Sequence, residues 1–329
     1  MLKAKIISTG SYLPQRRLTN SALERMVDTS DEWITERTGI KERRIISDEQ
    51  VTSDIAYEAS IVALERAGVA AESLELIVLA TISGDMPIPA TACFLQKKLG
   101  AKNAAAFDIN AACSGFIYGL SLVSAYVQSG MYKRILLVGT EALSRFTDWE
   151  DRNTCVLFGD GAGAVVVEAS DYGQCDSGIL SVDIHSDGSM SDILNLPGGG
   201  SKFPASNDTI NNRLHFIKMK GNETFKVAVR TLERLVVDAL EKNNLKVSDI
   251  ALLIPHQANS RIITATANRV GLPMERVMVN LDRCGNTSAA SIPIALDEAV
   301  TAGRIKQGDY VLLEAFGGGL TWASALLKW

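Results

Sequence analysis

The stretch 105-AAFDINAACSGFIYGL-120 opens with an apolar run of strand length and passes, beyond Asn110, into small and apolar residues at helical spacing. A strand that gives way to a helix presents its junction residue at the edge of a sheet, where α/β folds hold their ligands. Cys113 stands at that junction. Two further segments share the pattern. In 254-IPHQAN-259, His256 follows the end of an apolar strand, and in 284-CGNTSAAS-291, Asn286 precedes a helical run.

Working outward, 63-ALERAGV-69 returns 176 positions later as 239-ALEKNNL-245, each followed by an apolar strand, 76-LIVLAT-81 and 251-ALLIPH-256. The helix from Cys113 ends near Gly130 and the one from Asn286 near Gly303, 173 positions apart, as Cys113 and Asn286 are themselves. Thr81 and His256 correspond at an offset of 175. The pattern predicts helix 53–67, strand 76–82, helix 90–98, strand 105–109, helix 113–129, strand 134–139 and helix 286–302, the last capped by Asn286 or Thr287. Alternation of this kind argues α/β architecture with parallel-rich sheets covered by helices, in two duplicated halves, 1–175 and 176–329. The Gly-, Ser- and Asn-rich segment 186–213 reads as a long surface loop between them.

The chain has 329 residues, is 47% hydrophobic and carries a net charge of −5, enough for a large core and without the basic footprint of a nucleic-acid binder. No apolar run approaches the ~20 residues of a membrane span, and 1-MLKAKIISTGSYLP-14 enters a strand pattern without a long apolar leader segment. Five cysteines without a C-x-x-C pair give neither a disulfide framework nor a zinc site. A cytoplasmic protein with reduced thiols, no metal and no membrane insertion is expected.

A cysteine at a helix N-terminus near a histidine has its pKa lowered and becomes a nucleophile; a lone cysteine in apolar surroundings is more commonly a small buried hydrophobe. Asn286 alone is most simply a helix cap. The segment 316-FGGGLTW-322 is too glycine-dense for a strand interior. It marks either a tight turn or a close backbone approach whose N–H could complete an oxyanion hole with that of Cys113. The glycines of 158-FGDGAGA-164 favour packing. Trp33 and Arg37, four apart in 31-DEWITERTGI-40, share a helix face; they read most simply as a surface cation–π pair, and could also sandwich a nucleotide base.

Taken in order, DEWITERTGI, DINAACSGF, FGDGAGA, KMKGNETFKVAV, IPHQANSRII, DRCGNTSAASIPIAL and LLEAFGGGLTWASALL resemble the β-ketoacyl-acyl-carrier-protein synthase III family of the thiolase superfamily over nearly the whole chain. The resemblance implies a thiolase-like five-layered αβαβα fold, a homodimer, and decarboxylative Claisen condensation of a short acyl-CoA primer with malonyl-acyl-carrier protein. No cofactor is implied, acyl-CoA being a substrate. Cys113 would carry the acyl group, with its own N–H and that of Gly318 as oxyanion hole, while His256 and Asn286 would hydrogen-bond the malonyl thioester oxygen. Phe316 would pack against the reacting centre. Trp33, Arg37 and Arg152 would clamp adenine; Asn222, Phe225, Ala258 and Asn259 would line the pantetheine channel; Lys226 and Arg261 would dock the acidic carrier.

Ile88, where acetyl-restricted members carry phenylalanine, would reach the primer pocket across the dimer interface and admit longer or branched primers. Leu320 and Cys284 replace the aromatic or imidazole side chains the pattern leads one to expect. Two alternatives stay open on the sequence. One is a superfamily cousin of secondary metabolism, although the FGGGL segment lacks the proline of the polyketide enzymes' loop. The other is a non-catalytic carrier-binding subunit, which would be expected to lose the nucleophile. A degradative thiolase would need a second cysteine in the Gly-rich C-terminal segment.

Overall fold

The computed structural model describes residues 2–171 and 177–329, so Cys175 and the boundary expected between 175 and 176 lie outside the described residues. In chain order the main elements are β1 (Leu2–Tyr12), α1 (Asp31–Thr38), α2 (Thr52–Ala67), β2 (Leu76–Ala80), α3 (Thr91–Leu99), β3 (Ala105–Ile109), α4 (Gly115–Gln128), β4 (Arg134–Ala142), β5 (Asp160–Asp171), β6 (Gly178–Ser186), α5 (Gly221–Lys242), β7 (Ile250–Pro255), α6 (Ser260–Val270), α7 (Ser291–Thr301), β8 (Tyr310–Gly317) and β9 (Thr321–Lys328).

The first sheet has the order β1-β5-β4-β2-β3, the second β6-β9-β8-β7 with a single parallel bridge from Leu253 to Val277 beyond β7. In each sheet the first two pairings are antiparallel and the rest parallel. The duplication read from the sequence is therefore present in the topology, with β3 reduced to one bridge in the second copy. The sheets are mixed rather than parallel-rich, because β1, β5, β6 and β9 are strands that the strand-helix alternation does not register.

Five layers follow from which strand face each helix covers. Phe116, Ile117, Leu120 and Val123 of α4 and Ile292, Ala295, Leu296 and Ala299 of α7 fill the space between the sheets, against Val78, Leu137 and Val165 on one side and Ile254, Leu313 and Ala325 on the other. The alternate residues Ile77, Leu79, Val138 and Val166 face α2 and α3, and Leu253, Leu312 and Leu326 face α5 and α6. Each such aliphatic side chain contributes ~1.5–3 kcal/mol on burial. The two central helices thus have no solvent face, and whatever precedes them is held from both sheets. Among the described residues no helix is long and apolar enough to cross a membrane.

Segment 186–213 lies within the second half, after β6, rather than between the halves. It holds a short helix, Asn207–Asn211, and Leu194–Asn195 pairs with Lys218–Met219. Asp187 exchanges backbone hydrogen bonds with Leu320 at 2.9 and 2.7 Å, fastening the segment to the glycine hairpin.

Candidate active site

Cys113 does not begin the helix. It sits in a single 3-10 turn, Ala112–Ser114, and α4 starts at Gly115. Asn286 likewise precedes a 3-10 turn, Ser288–Ala290, with α7 starting at Ser291. The first residue of each turn, Ala112 and Ser288, has φ of 47°, a left-handed conformation that costs a side-chain-bearing residue on the order of 1–2 kcal/mol. These two strained turns are the true counterparts, 176 apart, so Cys113 matches Ala289 and not Asn286. The junctions are equivalent, but the chemical residues occupy different steps of them. Thr81 and His256 do match, each following its strand directly.

The Cys113 turn is locked from β9. Thr321 Oγ1 donates to Ala111 O at 2.8 Å, and Ser114 Oγ donates to Thr321 O at 3.1 Å. The glycine segment is both a hairpin turn and a close approach: a Cβ on Gly317 would fall 2.7 Å from the Cys113 nitrogen. That proximity brings the N–H groups of Gly318 and of Cys113 itself onto the thiol, which both pull down in pKa. Both backbone N–H groups thus gather at the sulfur. By contrast the glycines of 158–164 serve packing, Gly163 against Pro293 and Gly159 against Cys284.

Burial dominates the thiol. Cys113 is 8% exposed, and desolvation pushes its pKa up to about 11, with the Glu141 carboxylate adding to the rise. The expected lowering fails for two physical reasons: the helix N-terminus lies two residues further on, and the histidine carries no charge. Burial holds His256 down to about 3, so it is a neutral imidazole.

His256 is fixed through residues that sequence reasoning missed. Its backbone N–H donates to Glu314 O at 2.8 Å, and its ring Nδ1 lies 2.7 Å from Ser291 Oγ, which also accepts the Gln257 backbone N–H at 3.4 Å. Where the Ser291 hydroxyl donates to Nδ1, the ring proton sits on Nε2. The fully buried Gln257 braces this turn against Pro255 O, Met278 O and Asn280 N.

Asn286 is no helix cap: its Oδ1 accepts the N–H of Ser288 at 2.9 Å, which leaves Nδ2 as its donor. Its backbone bridges Phe158, exchanging hydrogen bonds with Leu157 and Gly159. Behind it, Arg43 is wholly buried, donating to Leu18 O, Asn20 Oδ1 and Val156 O and pressing against Gly285. Only Ser291, five positions after Asn286 in GNTSAAS, carries a signal that could have been found in sequence. The site therefore offers a buried thiol under two backbone donors, with an Nε2–H and an Nδ2–H2 as two neutral donors.

Phe316 and Leu320 are both buried and share a cluster with Ile193, Ala228, Leu232 and Leu235. Ile88 is not part of it. At 84% exposed it stands on the surface beside edge strand β3 with half-exposed Met86. One chain therefore does not bring Ile88 and Leu320 together.

On the adjoining surface, Trp33 of α1 is flanked by the guanidinium groups of Arg152 at 4.3 Å and Arg37 at 5.6 Å from its ring. Asn259 caps α6 and donates to Arg37 O at 3.1 Å, while Ser260 fills the space beside Gly39. The Asn259 side chain is thereby committed to structure. Ala258, next to it, is half-buried. Arg261 lies 5.4 Å over Phe225, and Asn222 and Lys226 are exposed on the first turns of α5. Trp33, Arg37, Asn259, Arg261 and Phe225 thus form one continuous line with exposed cations along it.

Residues 107–188 match the family model of 3-oxoacyl-[acyl-carrier-protein] synthase III, and residues 240–329 match that of its C-terminal part. The chain is 54% identical to a β-ketoacyl-[acyl-carrier-protein] synthase III from Caldanaerobacter subterraneus subsp. tengcongensis, across 100% of this chain and 98% of that one. A protein of the same name from Natranaerobius thermophilus is 50% identical over the whole of both chains. The crystal structure of 3-oxoacyl-[acyl-carrier-protein] synthase III from Aquifex aeolicus is similar with a TM-score of 0.91 and 50% identity, covering 99% of this chain and 100% of that one.

Proposed function

The chain belongs to the 3-oxoacyl-[acyl-carrier-protein] synthase III family, and from that premise we propose that it condenses a short acyl-CoA primer with malonyl-acyl-carrier protein to give 3-oxoacyl-carrier protein, CoA and CO2, initiating fatty-acid synthesis. Cys113 Sγ attacks the acyl-CoA carbonyl, the N–H groups of Cys113 and Gly318 hold the oxyanion, and CoA leaves as an acyl-cysteine thioester forms. Malonyl thioester then loses CO2. The electrons of the broken C–C bond pass to an enolate whose oxygen receives hydrogen bonds from His256 Nε2 and Asn286 Nδ2. The enolate carbon attacks the Cys113 thioester and releases the cysteine sulfur.

The observation that carries this reading is the 2.7 Å pairing of His256 Nδ1 with Ser291 Oγ, which leaves Nε2 of a buried imidazole to donate, together with Asn286, whose Oδ1 is taken by the Ser288 N–H and whose amide donates without titrating. Two neutral donors in a water-poor site stabilise an enolate without protonating its carbon. The line from Trp33 to Phe225 suits a nucleotide followed by a pantetheine arm, and Lys226 and Arg261 suit an acidic carrier. Exposed Ile88 and Met86 beside the edge strand fit a homodimer in which Ile88 completes the partner's primer pocket. The reaction belongs in the cytoplasm, where both thioester substrates are made.

Mixing the protein with acetyl-, isobutyryl- and octanoyl-CoA and weighing it intact tests the reading. An acyl adduct that forms with at least one primer and is abolished by Cys113→Ala supports it. No adduct from any primer would leave the carrier-binding subunit as the better description.

A further inference from the structure

Arg152 flanks Trp33 with little hold of its own. Its guanidinium lies 4.3 Å from the Trp33 ring, and its ion pair, 3.8 Å to Asp28, is with a fully exposed carboxylate, the kind of pair that contributes little. Its place is set instead by two consecutive backbone turns. Asp148 O accepts the Asp151 N–H at 3.0 Å, and Asp151 O accepts those of Thr154 and Cys155 at 3.1 and 3.0 Å. Asp148 Oδ1 also accepts the Glu150 N–H at 3.1 Å. This buried carboxylate is therefore the root of the turn that carries Arg152.

Arg213, the last residue of segment 186–213, grips that root. Its Nε donates to Asp148 Oδ2 at 2.9 Å and a terminal nitrogen donates to Oδ1, a two-pronged pair that fixes the plane of the carboxylate. Its other terminal nitrogen lies 3.2 Å from Glu150, and Lys218 Nζ lies 3.6 Å from Asp148 Oδ2. Ile217 donates its N–H to Phe146 O at 2.9 Å, so the same stretch holds the turn at a second point. Arg213 also occupies a strained position. With φ of 55° it closes the helix Asn207–Asn211 in the left-handed conformation, its N–H on Ile210 O and that of Leu214 on Thr209 O, a place that glycine ordinarily takes. The side chain carried there leaves its own segment to reach Asp148.

Resting on the acyl-CoA reading above, we propose that Arg213 and Asp148 are positioning residues for the nucleotide end of acyl-CoA: their pair sets the turn that holds Arg152 against Trp33. The long segment after β6 thereby acquires a role, as the brace that delivers Arg213. The pair acts on the CoA handle, so it alters how tightly acyl-CoA is held and not how Cys113 reacts.

The test is calorimetric titration with CoA of the wild-type protein, Arg213→Gln and Asp148→Asn, two substitutions that change the local charge in opposite directions. CoA is polyanionic, so through charge alone the loss of Arg213 weakens binding while the loss of the Asp148 charge strengthens it. Positioning weakens both. Each variant should bind CoA about 5- to 10-fold more weakly, the share of one cation–π contact. Arg152→Ala should lose the same amount, and Arg213→Gln should add nothing to it, since the one acts through the other. In turnover the loss should fall on KM for acetyl-CoA with kcat retained. Acetyl-pantetheine, which has the thioester without the nucleotide, should acylate Cys113 at the wild-type rate. If Arg213→Gln fails to fold, Asp148→Asn decides alone. Opposite shifts in the two variants, unmoved CoA binding, or losses that multiply when Arg152→Ala is added, overturn the proposal. Binding of CoA involves no acyl transfer, so a wild-type protein that binds CoA and takes no acetyl group refutes the acyl-transfer reading alone.

Discussion

Placing a methyl group on Gly317 tests the closeness of the glycine hairpin to the nucleophile. Its Cβ would stand 2.7 Å from the Cys113 nitrogen and 2.9 Å from the Cys113 Cβ. Ordinary carbon contacts lie at ~3.5–4.0 Å, so the strand end and the turn must part by roughly 0.7 Å. Neither side yields freely. Gly317 pairs with Thr321 across the hairpin, and Thr321 in turn holds Ala111 and Ser114 around the cysteine. The displacement therefore appears in the oxyanion hole, where Gly318 is the next residue. Overpacking of this kind costs about 1–3 kcal/mol of stability, and misplacement on the order of 1 Å costs roughly 10²-fold in rate. Folded Gly317→Ala should accordingly acylate from acetyl-CoA about 10²-fold more slowly by intact-mass time course. Gly188→Ala, where an added Cβ meets nothing within 4 Å, should keep the wild-type rate. A folded Gly317→Ala that acylates at full speed would refute the close approach as the reason for that glycine.

Asn286→Ala should still take an acyl adduct but release it to malonyl-carrier protein ~10²–10³-fold more slowly; selective loss of acylation would reverse the division of roles. Ser291→Ala removes the hydroxyl that fixes the His256 tautomer, so the condensation step should slow by roughly 10-fold, the effect of about one hydrogen bond's orienting energy, with adduct formation unchanged. Glu314 is buried with neither oxygen hydrogen-bonded, and burial pushes it from 4.5 up to about 8. A folded pKa above the unfolded one gives a contribution fully present below pH 4.5 and lost as pH climbs to about 8. Glu314→Met should therefore narrow the gap in Tm between pH 5 and pH 9, and an unchanged gap would place the alkaline loss elsewhere.

Cys113, His256 and Asn286 could be found in sequence because each is a reactive residue at the boundary between two hydrophobic periods. Of their partners, only Ser291 leaves a signal, five positions after Asn286. Ser291 lies in a run of small residues that reads as helix, and Glu141 ends the strand RILLVGTEA as an acid that single-sequence reasoning leaves on the surface. Ser291 acquires its meaning from the turn after β7 and Glu141 from the turn after β2, each remote in sequence. Burial inverted the expected thiol pKa for the same reason, since the side chains that desolvate Cys113 are remote in sequence. The duplicated topology was legible through its helices and parallel strands, whereas β1, β5, β6 and β9 join by antiparallel pairing that the strand-helix alternation does not register. The 173 offset misled because α7 begins beyond a 3-10 turn that periodicity does not resolve.

The most direct measurement is a single-turnover chase. Protein pre-acylated on Cys113 and freed of acyl-CoA is mixed with malonyl-acyl-carrier protein, and both proteins are weighed over time. The account predicts that the cysteine adduct disappears at the rate at which 3-oxoacyl-carrier protein and one equivalent of CO2 appear. An adduct that persists while malonyl-carrier protein remains intact, or one lost only to water, would contradict it.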